Sequence, residues 1–218
     1  MPKCTPVVDD VRKLWPFSAA ASLRAGTIDA AGIEEDVPVS WNRTGRAFQD
    51  ALDQSRILEV LKAFDPHVAG TPSLGLAVPT SDIDILCEVP RDEVFVQLIW
   101  ETFSDQDGFA IRQWTANGRP VVASFVCKGW KLEIFGDRRP VEKQEAWIHF
   151  SVERRLLEIG GEDLKNRIMT LRREGFKTEA AFASVLGLAG DPFSSMLDLG
   201  QEDDASLQRR IAKLFPAN

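Results

Sequence analysis

The sequence predicts an α+β (α/β) protein, with a mixed β-sheet flanked by helices and a helical C-terminal extension. Segments of helix and strand character alternate from residue 45 to residue 160, and the segments after residue 160 are helical. Gly160-Gly161 lies at the change from one pattern to the other. We therefore expect three parts: an N-terminal arm (1–44), a core (45–160) and a helical C-terminal extension (161–218).

The helices are predicted from apolar residues that recur at helical spacing. In the core this pattern covers about residues 45–63, 92–103 and 143–159. Asp65-Pro66 is expected to end the first of these helices, and Asp92 is expected to cap the second. Trp100 and Trp147 fall on the predicted apolar faces. Three more helices are predicted in the extension, over about 162–174, 178–188 and 204–214.

Five segments of the core have strand character: 67–70, 83–89, 109–115, 120–127 and 130–135. Asn117-Gly118 separates the third from the fourth, and Lys128-Gly129 separates the fourth from the fifth. Both dipeptides are typical of tight turns between antiparallel strands, so the last three strands are predicted to form consecutive hairpins.

The composition narrows the class of protein. A net charge of −7 and a pI near 5.0 argue against a protein that simply coats nucleic acid. No apolar run is long enough to span a bilayer, and the N-terminus has no apolar signal core. Three cysteines without metal-type spacing indicate free thiols in a reducing compartment. We expect a cytoplasmic protein with no membrane partner.

Asp82 and Asp84 stand at the start of the second predicted strand. Because strand side chains alternate, both aspartates point to one face while Ile83 points to the other. Two neighbouring carboxylates repel each other, and burying either one unpaired is unfavourable. Arginine, lysine or a hard divalent cation such as Mg²⁺ would neutralise them. The alternative is a pair of strand-edge aspartates that cap a turn.

Two further features accompany the aspartates. Gly70-Thr71 closes the preceding strand with free N–H groups and a hydroxyl, which together make a reasonable phosphate cradle. Glu133 is an isolated acid between apolar neighbours, and it would join the aspartates if its strand lies beside theirs. The alternatives are an exposed Glu133 paired with Lys131, and a Ser81 that only forms a turn.

Together these residues resemble the signature of the polymerase-beta-type nucleotidyltransferase superfamily. That signature is a Gly-Ser or Gly-Gly turn, roughly ten residues, Asp-x-Asp or Asp-x-Glu, and a later third acid. Here Gly70-Thr71 precedes Ser81-Asp82-Ile83-Asp84, and Glu133 follows. Thr71 keeps the hydroxyl of the usual serine, whereas Glu133 is one methylene longer than the commoner aspartate. The stretch after Glu133 resembles a poorly characterised small bacterial family with this core, of the domain-of-unknown-function type, so the resemblance covers about residues 45–160.

The resemblance implies roles for individual residues. Asp82, Asp84 and Glu133 would be the catalytic acids that hold Mg²⁺ or Mn²⁺. Gly70, Thr71 and Ser81 would hold a nucleoside triphosphate such as ATP. A last group would reach the cleft and hold phosphate or acceptor; it consists of His149, Glu153 and Arg154. The alternative for His149 and Glu153 is a structural i,i+4 pair on a helix that docks on the sheet.

The expected function is Mg²⁺-dependent transfer of a nucleoside monophosphate from a nucleoside triphosphate to a small molecule, a protein hydroxyl or an RNA 3′ end. The alternative is a catalytically inactive nucleotide- or partner-binding module, in which the helical extension forms a dimer or partner interface. A third hypothesis, an RNA-directed toxin or tRNA-modifying enzyme, would bind RNA through four arginine pairs. These pairs are Arg138-Arg139, Arg154-Arg155, Arg172-Arg173 and Arg209-Arg210, and the alternative is that most of them lie on solvated helix faces and ends.

Overall fold

A five-stranded mixed sheet forms the centre of the protein. The computed structural model describes residues 46–115 and 119–215. The strands are β1 (His67–Ala69), β2 (Ile83–Glu88), β3 (Ala110–Gln113), β4 (Val121–Cys127) and β5 (Trp130–Asp137). They lie in the order β1-β2-β5-β4-β3, with β2 and β5 parallel and the other neighbouring pairs antiparallel. The predicted mixed sheet is confirmed.

The described residues form seven α-helices around this sheet. They are α1 (Arg46–Ser55), α2 (Ile57–Val60), α3 (Asp92–Phe103), α4 (Glu145–Arg173), α5 (Thr178–Leu186), α6 (Pro192–Leu199) and α7 (Asp204–Leu214). Short 3₁₀ turns cover Lys62–Phe64 and Val141–Lys143. The α+β class and the helical C-terminal part are therefore as predicted, because all helices from α4 onward follow the last strand, β5.

The two faces of β2 differ as its alternating sequence predicts. Ile83 and Ile85 are fully buried in the main apolar core, which also takes in the inner faces of α1, α2 and α3. Within this core the ring of Phe103 on α3 stacks on Phe125 of β4, with ring centroids 4.6 Å apart. Burial of Ile83 and Ile85 in this core places the side chain of Asp84 on the opposite face of the sheet.

The predicted helix over residues 45–63 is wrong in its second half. α1 ends at Ser55 because Arg56 adopts a left-handed backbone with φ 53°. The chain then continues as the short α2 and a 3₁₀ turn. Ile57 and Leu61 are both fully buried after this step, and Arg56 is held by Glu59 at 2.6 Å. The change of direction lets these apolar residues reach the core. Because arginine rarely adopts a left-handed backbone, the sequence gives no signal of a break here.

The helical C-terminal part differs from the prediction in two places. Helices predicted over 143–159 and 162–174 form one element, α4, which is interrupted by non-helical backbone at Gly161 (φ 58°, ψ −154°). α6 is not in the predicted set. Asp191 accepts a hydrogen bond from the backbone N–H of Ser194, and Pro192 is the first helical residue. An aspartate cap followed by proline is a helix-start signal, so the sequence does contain the evidence for α6.

Several smaller expectations can also be compared with the structure. Lys128 and Gly129 both have positive φ (53° and 77°), as a tight β4–β5 hairpin turn requires. Trp100 is 56% exposed and packs edge-on against Phe109, so its expected burial is wrong.

In the described part of the chain, no helix combines the length and apolar character needed to cross a membrane. The predicted N-terminal arm and the Asn117-Gly118 turn lie outside the described residues.

Candidate functional site

Asp84 and Glu133 are direct register partners on the two parallel strands β2 and β5. Because their neighbours Ile83 and Leu132 are also partners and face the core, both carboxyl groups lie on the opposite face of the sheet. The two acids are almost fully buried, with 5% and 7% of their surfaces exposed. The structure thus brings the predicted third acid beside the aspartate pair, although it lies about fifty residues later in the chain.

Lys131 provides the cation between two of the acids. Its ammonium Nζ donates to Glu133 Oε1 at 2.6 Å and to Asp82 Oδ2 at 3.3 Å. The predicted Lys131–Glu133 pair is therefore present, but Glu133 is buried rather than exposed. Burial alone would lower the pKa of Lys131; the hydrogen bond and charge of Glu133, together with Asp82, outweigh burial and raise it. Sequence spacing could not reveal that Lys131 also reaches Asp82, the residue directly before β2.

Asp84 has no such cation. Its Oδ1 atom is buried and has no hydrogen-bond partner among the described residues. Burial raises the pKa of Asp84 well above its ordinary value, and the negative charges of Glu133 and Asp82 raise it further. Burial, and to a smaller extent the charge of Glu133, also raises the pKa of Asp82. Burial and mutual repulsion therefore oppose full ionisation of the three acids, and a single ammonium group only partly offsets this.

Gly70 allows the backbone to approach this site closely. It follows β1 with φ +82°, a conformation that glycine adopts without strain. A Cβ atom at this position would lie only 2.7 Å from Asp84 Oδ2 and 3.3 Å from the carbonyl oxygen of Asp82. Glycine is therefore required here both by the turn and by the space that the carboxylate of Asp84 occupies.

Thr71 and Ser81 close the loop that joins β1 to β2. The hydroxyl of Thr71 donates to Ser81 Oγ at 2.8 Å, and Ser81 Oγ also accepts the backbone N–H of Val78 at 2.9 Å. The carbonyl of Thr71 accepts the N–H groups of Leu74 and Leu76. Gly70, Thr71 and Ser81 therefore lie together next to Asp82, as the sequence predicts, and Ser81 does take the predicted role of a turn residue.

The helical part of the chain adds further charged groups near Asp84. Glu153 on α4 is buried; burial raises its pKa, and so do the charges of Glu179 and Asp84. Glu179 on α5 in turn raises the pKa of Asp84. Arg172 partly opposes this charge, since it lowers the pKa of Glu153. From the sequence, Glu153 is a candidate, Glu179 is not, and Arg172 appears only in an arginine pair for RNA, because only the packing of α4 and α5 brings Glu179 and Arg172 near the acids.

His149 and Arg154 occupy other environments. The ring of His149 is 4% exposed, lies 3.9 Å from the ring of Phe193, and has no hydrogen-bond partner on either nitrogen among the described residues. Burial lowers its pKa to about 4. The expected i,i+4 pair with Glu153 is therefore absent. Arg154 is exposed, with Glu158 at 3.8 Å and the ring of Phe150 beneath it at 5.8 Å.

Most arginines of the four predicted pairs are bound to groups of the same chain. Five of them have acidic partners: Arg138 binds Asp92, Arg139 binds Asp137, Arg154 binds Glu158, Arg155 binds Asp204 and Arg210 binds Glu202. Arg172 donates to the carbonyl of Phe176. These contacts support the interpretation of the pairs as ion-paired helix ends and faces rather than as a free basic surface.

A second group with metal-ligand chemistry lies at the other end of β1. Ligand atoms of Asp65, His67 and Glu142 all lie within 4.8 Å of one another, on the exposed side of the sheet edge. His67 Nε2 is hydrogen-bonded to Asp65 Oδ2 at 3.1 Å, and its ring packs edge-on against Trp147. Because this group is separate from Asp82, Asp84 and Glu133, metal binding by the protein has to be assigned to one group or the other by mutation.

The chain belongs to the family described as Domain of unknown function (DUF4269), which matches residues 50–199. The match spans the sheet, the three acids and the helices up to α6. No significant match was found among curated proteins. The family description carries no activity, so the chemistry of this chain has to be inferred from its own residues.

Solved structures show a loose similarity to this fold. The Cid1 poly(U) polymerase with MgGTP bound is 15% identical, with a TM-score of 0.45 over 58% of this chain and 41% of that chain. The GLD-2/RNP-8 complex is 12% identical, with a TM-score of 0.47 over 78% of each chain. The polymerase core of TRAMP, an RNA surveillance complex, is 15% identical, with a TM-score of 0.39 over 78% of this chain and 57% of that chain. This chain spans about two fifths of the length of the first of these proteins.

Proposed function

We propose that the protein is a divalent-metal-dependent nucleotidyltransferase that moves a nucleoside monophosphate from a nucleoside triphosphate to an acceptor hydroxyl. The observation that carries the proposal is the register pairing of Asp84 with Glu133, with Asp82 on the same face and a buried Asp84 oxygen that has no partner. Three converging carboxylates with incomplete neutralisation are unfavourable in a structural role alone, since burial and mutual repulsion both act against them.

The donor set fits Mg²⁺ or Mn²⁺. Hard divalent cations prefer carboxylate oxygens, and Asp82, Asp84 and Glu133 offer only such oxygens to the site. The unpartnered Oδ1 of Asp84 is the atom that most needs a ligand. When bound by these acids, divalent cations stabilise the charge on the attacking and leaving oxygens of phosphoryl transfer. The acids themselves then need only to position the cation, which agrees with a site that contains no histidine.

The nucleotide is assigned to the β1–β2 loop. Gly70 exposes its backbone beside Asp84, and any side chain there would collide with the carboxylate. The Thr71–Ser81 hydrogen bond holds the loop closed directly before Asp82. We assign the triphosphate to the N–H groups and hydroxyls of this loop, because they place donors next to the acids that hold the cation.

The reaction balances without any further reactant. The acceptor oxygen bonds to the α-phosphorus, the bond from that phosphorus to the bridging oxygen breaks, and pyrophosphate leaves. The hydroxyl proton passes to solvent. The charge of Glu179 also acts on Asp84 and adds to the negative field that attracts the cation.

The test is pyrophosphate release from each nucleoside triphosphate in Mg²⁺ or Mn²⁺. Separate reactions contain small hydroxylated molecules, a protein pool or RNA as the acceptor. We expect release with at least one combination, and we expect its loss in the Asp82→Ala/Asp84→Ala variant. The matched control is Asp50→Ala/Asp53→Ala, which removes two exposed carboxylates from α1 and should retain full activity.

One observation favours a second candidate, a non-catalytic nucleotide- or partner-binding module. Lys131 binds Asp82 and Glu133 together, as expected of a salt bridge that stabilises the fold. If the wild type binds a nucleotide but releases no more pyrophosphate than the double alanine variant with any acceptor, the enzyme proposal is wrong and the binding module is the better description.

A further inference from the structure

Lys131 lies at the entrance of the acidic site. It precedes Glu133 by two residues on β5, so both side chains point to the same face of the sheet. The ammonium group contacts Glu133 at 2.6 Å and Asp82 at 3.3 Å, and neither of these contacts involves Asp84. The side chain of Lys131 is 45% exposed, in contrast to 9% for that of Glu133. Lys131 therefore joins the two acids from the solvent side.

A divalent cation that bridges Asp82 and Glu133 needs the same carboxylate oxygens that Lys131 binds. Mg²⁺ and Mn²⁺ hold carboxylate oxygens at about 2 Å, which requires the ligands to close around the ion. An ammonium group cannot remain between the same two carboxylates, because it would be repelled by the doubly charged ion at short range. The two cations are therefore alternatives at this position.

Lys131 is also able to leave. Its long stem is flexible and nearly half-exposed, so the ammonium can turn into water by side-chain rotation without movement of β5. The backbone of β5 stays fixed by its pairing with β2 and β4. Release of the ammonium thus breaks two charged hydrogen bonds and leaves the positions of the acids unchanged.

We propose that Lys131 competes with the divalent cation for Asp82 and Glu133, so that its ammonium group must be displaced before the cation binds both acids. The inference rests on the proposed function, because it concerns the metal ions of that same site. Lys131 then sets the metal concentration at which the site fills: it neutralises the acids at low metal and is released toward solvent at high metal.

The first test measures Mn²⁺ binding without nucleotide, by electron paramagnetic resonance. Lys131→Met keeps the stem and removes the charge, and we expect it to tighten Mn²⁺ binding by about 10-fold or more, the equivalent of one charged hydrogen bond. Lys128→Met is the matched control, since Lys128 is an exposed lysine of the same hairpin. It should change the affinity by less than about 2-fold.

Asp84→Asn assigns the measured ions, because Asp65, His67 and Glu142 could also bind Mn²⁺. Only the binding that this variant abolishes is counted. If the wild type shows such binding and Lys131→Met does not tighten it, the competition proposal is wrong while the metal site stands. If neither protein shows such binding, both the metal site and the competition proposal are wrong.

The second test uses the wild type alone, so it does not depend on the folding of a variant. An amine-acylating reagent is applied with and without Mg²⁺, and modification is measured by peptide mass spectrometry. We expect Mg²⁺ to raise the acylation of Lys131 several-fold while that of Lys128 in the same sample stays constant. Equal acylation of Lys131 in both conditions would overturn the proposal, because it would show that the ammonium is not displaced.

Discussion

Asp84 and Glu133 lie opposite each other on β2 and β5, which form the parallel pair within the described sheet. This relationship sets the two carboxyl groups at the same height, on the face turned away from the main apolar core. Asp82 lies two residues before Asp84 in the chain. The ammonium group of Lys131 donates hydrogen bonds to Asp82 and Glu133. Folding thus brings three carboxyl groups together, and the ammonium group of Lys131 contacts two of them.

Asp84→Asn should stabilise the protein. Folding raises the pKa of Asp84, so the folded state resists its ionisation and stability is lost as pH rises from 3.8 through the raised pKa. Asparagine removes this penalty. We expect a higher Tm, by about 2–4 °C for each kcal/mol gained in a chain of this size, with a larger gain at pH 8 than at pH 5. Thermal unfolding by circular dichroism measures both.

Asp137→Asn is the matched control for this effect. Asp137 is a buried aspartate of β5, but Arg139 binds both of its carboxylate oxygens, at 3.0 and 2.7 Å. Removing the charge of Asp137 should lower Tm by about 4 °C or more, because it breaks a satisfied pair. If both variants shift Tm in the same direction, the buried carboxyl group of Asp84 does not destabilise the fold as we expect.

Gly70→Ala should weaken metal binding more than it weakens the fold. A Cβ atom 2.7 Å from Asp84 Oδ2 forces the carboxylate to move, and we expect Mn²⁺ affinity to fall by about 10-fold. Gly187→Ala is the control: Gly187 also has positive φ, and a Cβ atom there meets nothing within 4 Å. Both variants should lose about 1 kcal/mol of stability from backbone strain, but only Gly70→Ala should lose affinity.

The local parts of the site could be predicted from the sequence. Alternation along a strand is a property of the backbone, so Asp82 and Asp84 had to share a face once Ile83 and Ile85 were buried. The Lys128-Gly129 turn was predictable for a similar reason, since both residues adopt the positive φ that such hairpins need. The placement of Glu133 beside Asp84 required one further assumption, that β5 lies next to β2, and the strand order confirms it.

The remaining features depend on contacts between distant segments. The contact of Lys131 with Asp82 and the field of Glu179 at Asp84 arise only when separate elements pack together. The helix break at Arg56 allows the following apolar residues to be buried, and arginine is not a residue type that indicates the end of a helix. The limits of the three predicted parts and the roles of His149, Glu153 and Arg154 in binding remain predictions.

His149 should make the stability depend on pH. Burial lowers its pKa from 6.5 to about 4, so between these values the unfolded chain binds a proton that the folded protein excludes. The contribution of His149 to stability is therefore full above pH 6.5 and decreases by about 3 kcal/mol as pH falls to 4. His149→Phe should remove this contribution, as measured by urea unfolding across the range. An unchanged slope in His149→Phe would contradict the buried, neutral state of this ring.

Glu179 should influence metal binding without contact to the metal. Its negative charge on α5 raises the pKa of Asp84, so it adds to the potential that attracts a cation to the acids. Removing this charge in Glu179→Gln should weaken Mn²⁺ binding by about 2- to 5-fold, as expected for a single charge that acts without contact in a partly buried region. Glu174→Gln, at an exposed position near the end of α4, should leave the affinity unchanged.

Salt separates this effect from a general change in surface charge. Interactions between buried groups are screened much less than those between exposed ones, so the loss in Glu179→Gln should persist when the ionic strength is raised. Glu179→Gln should also raise Tm, because burial raises the pKa of Glu179 and makes its ionised form unfavourable in the fold. An affinity loss that disappears in salt, or that Glu174→Gln reproduces, would mean that α5 does not act on Asp84 and that the acids on the sheet alone set the metal affinity.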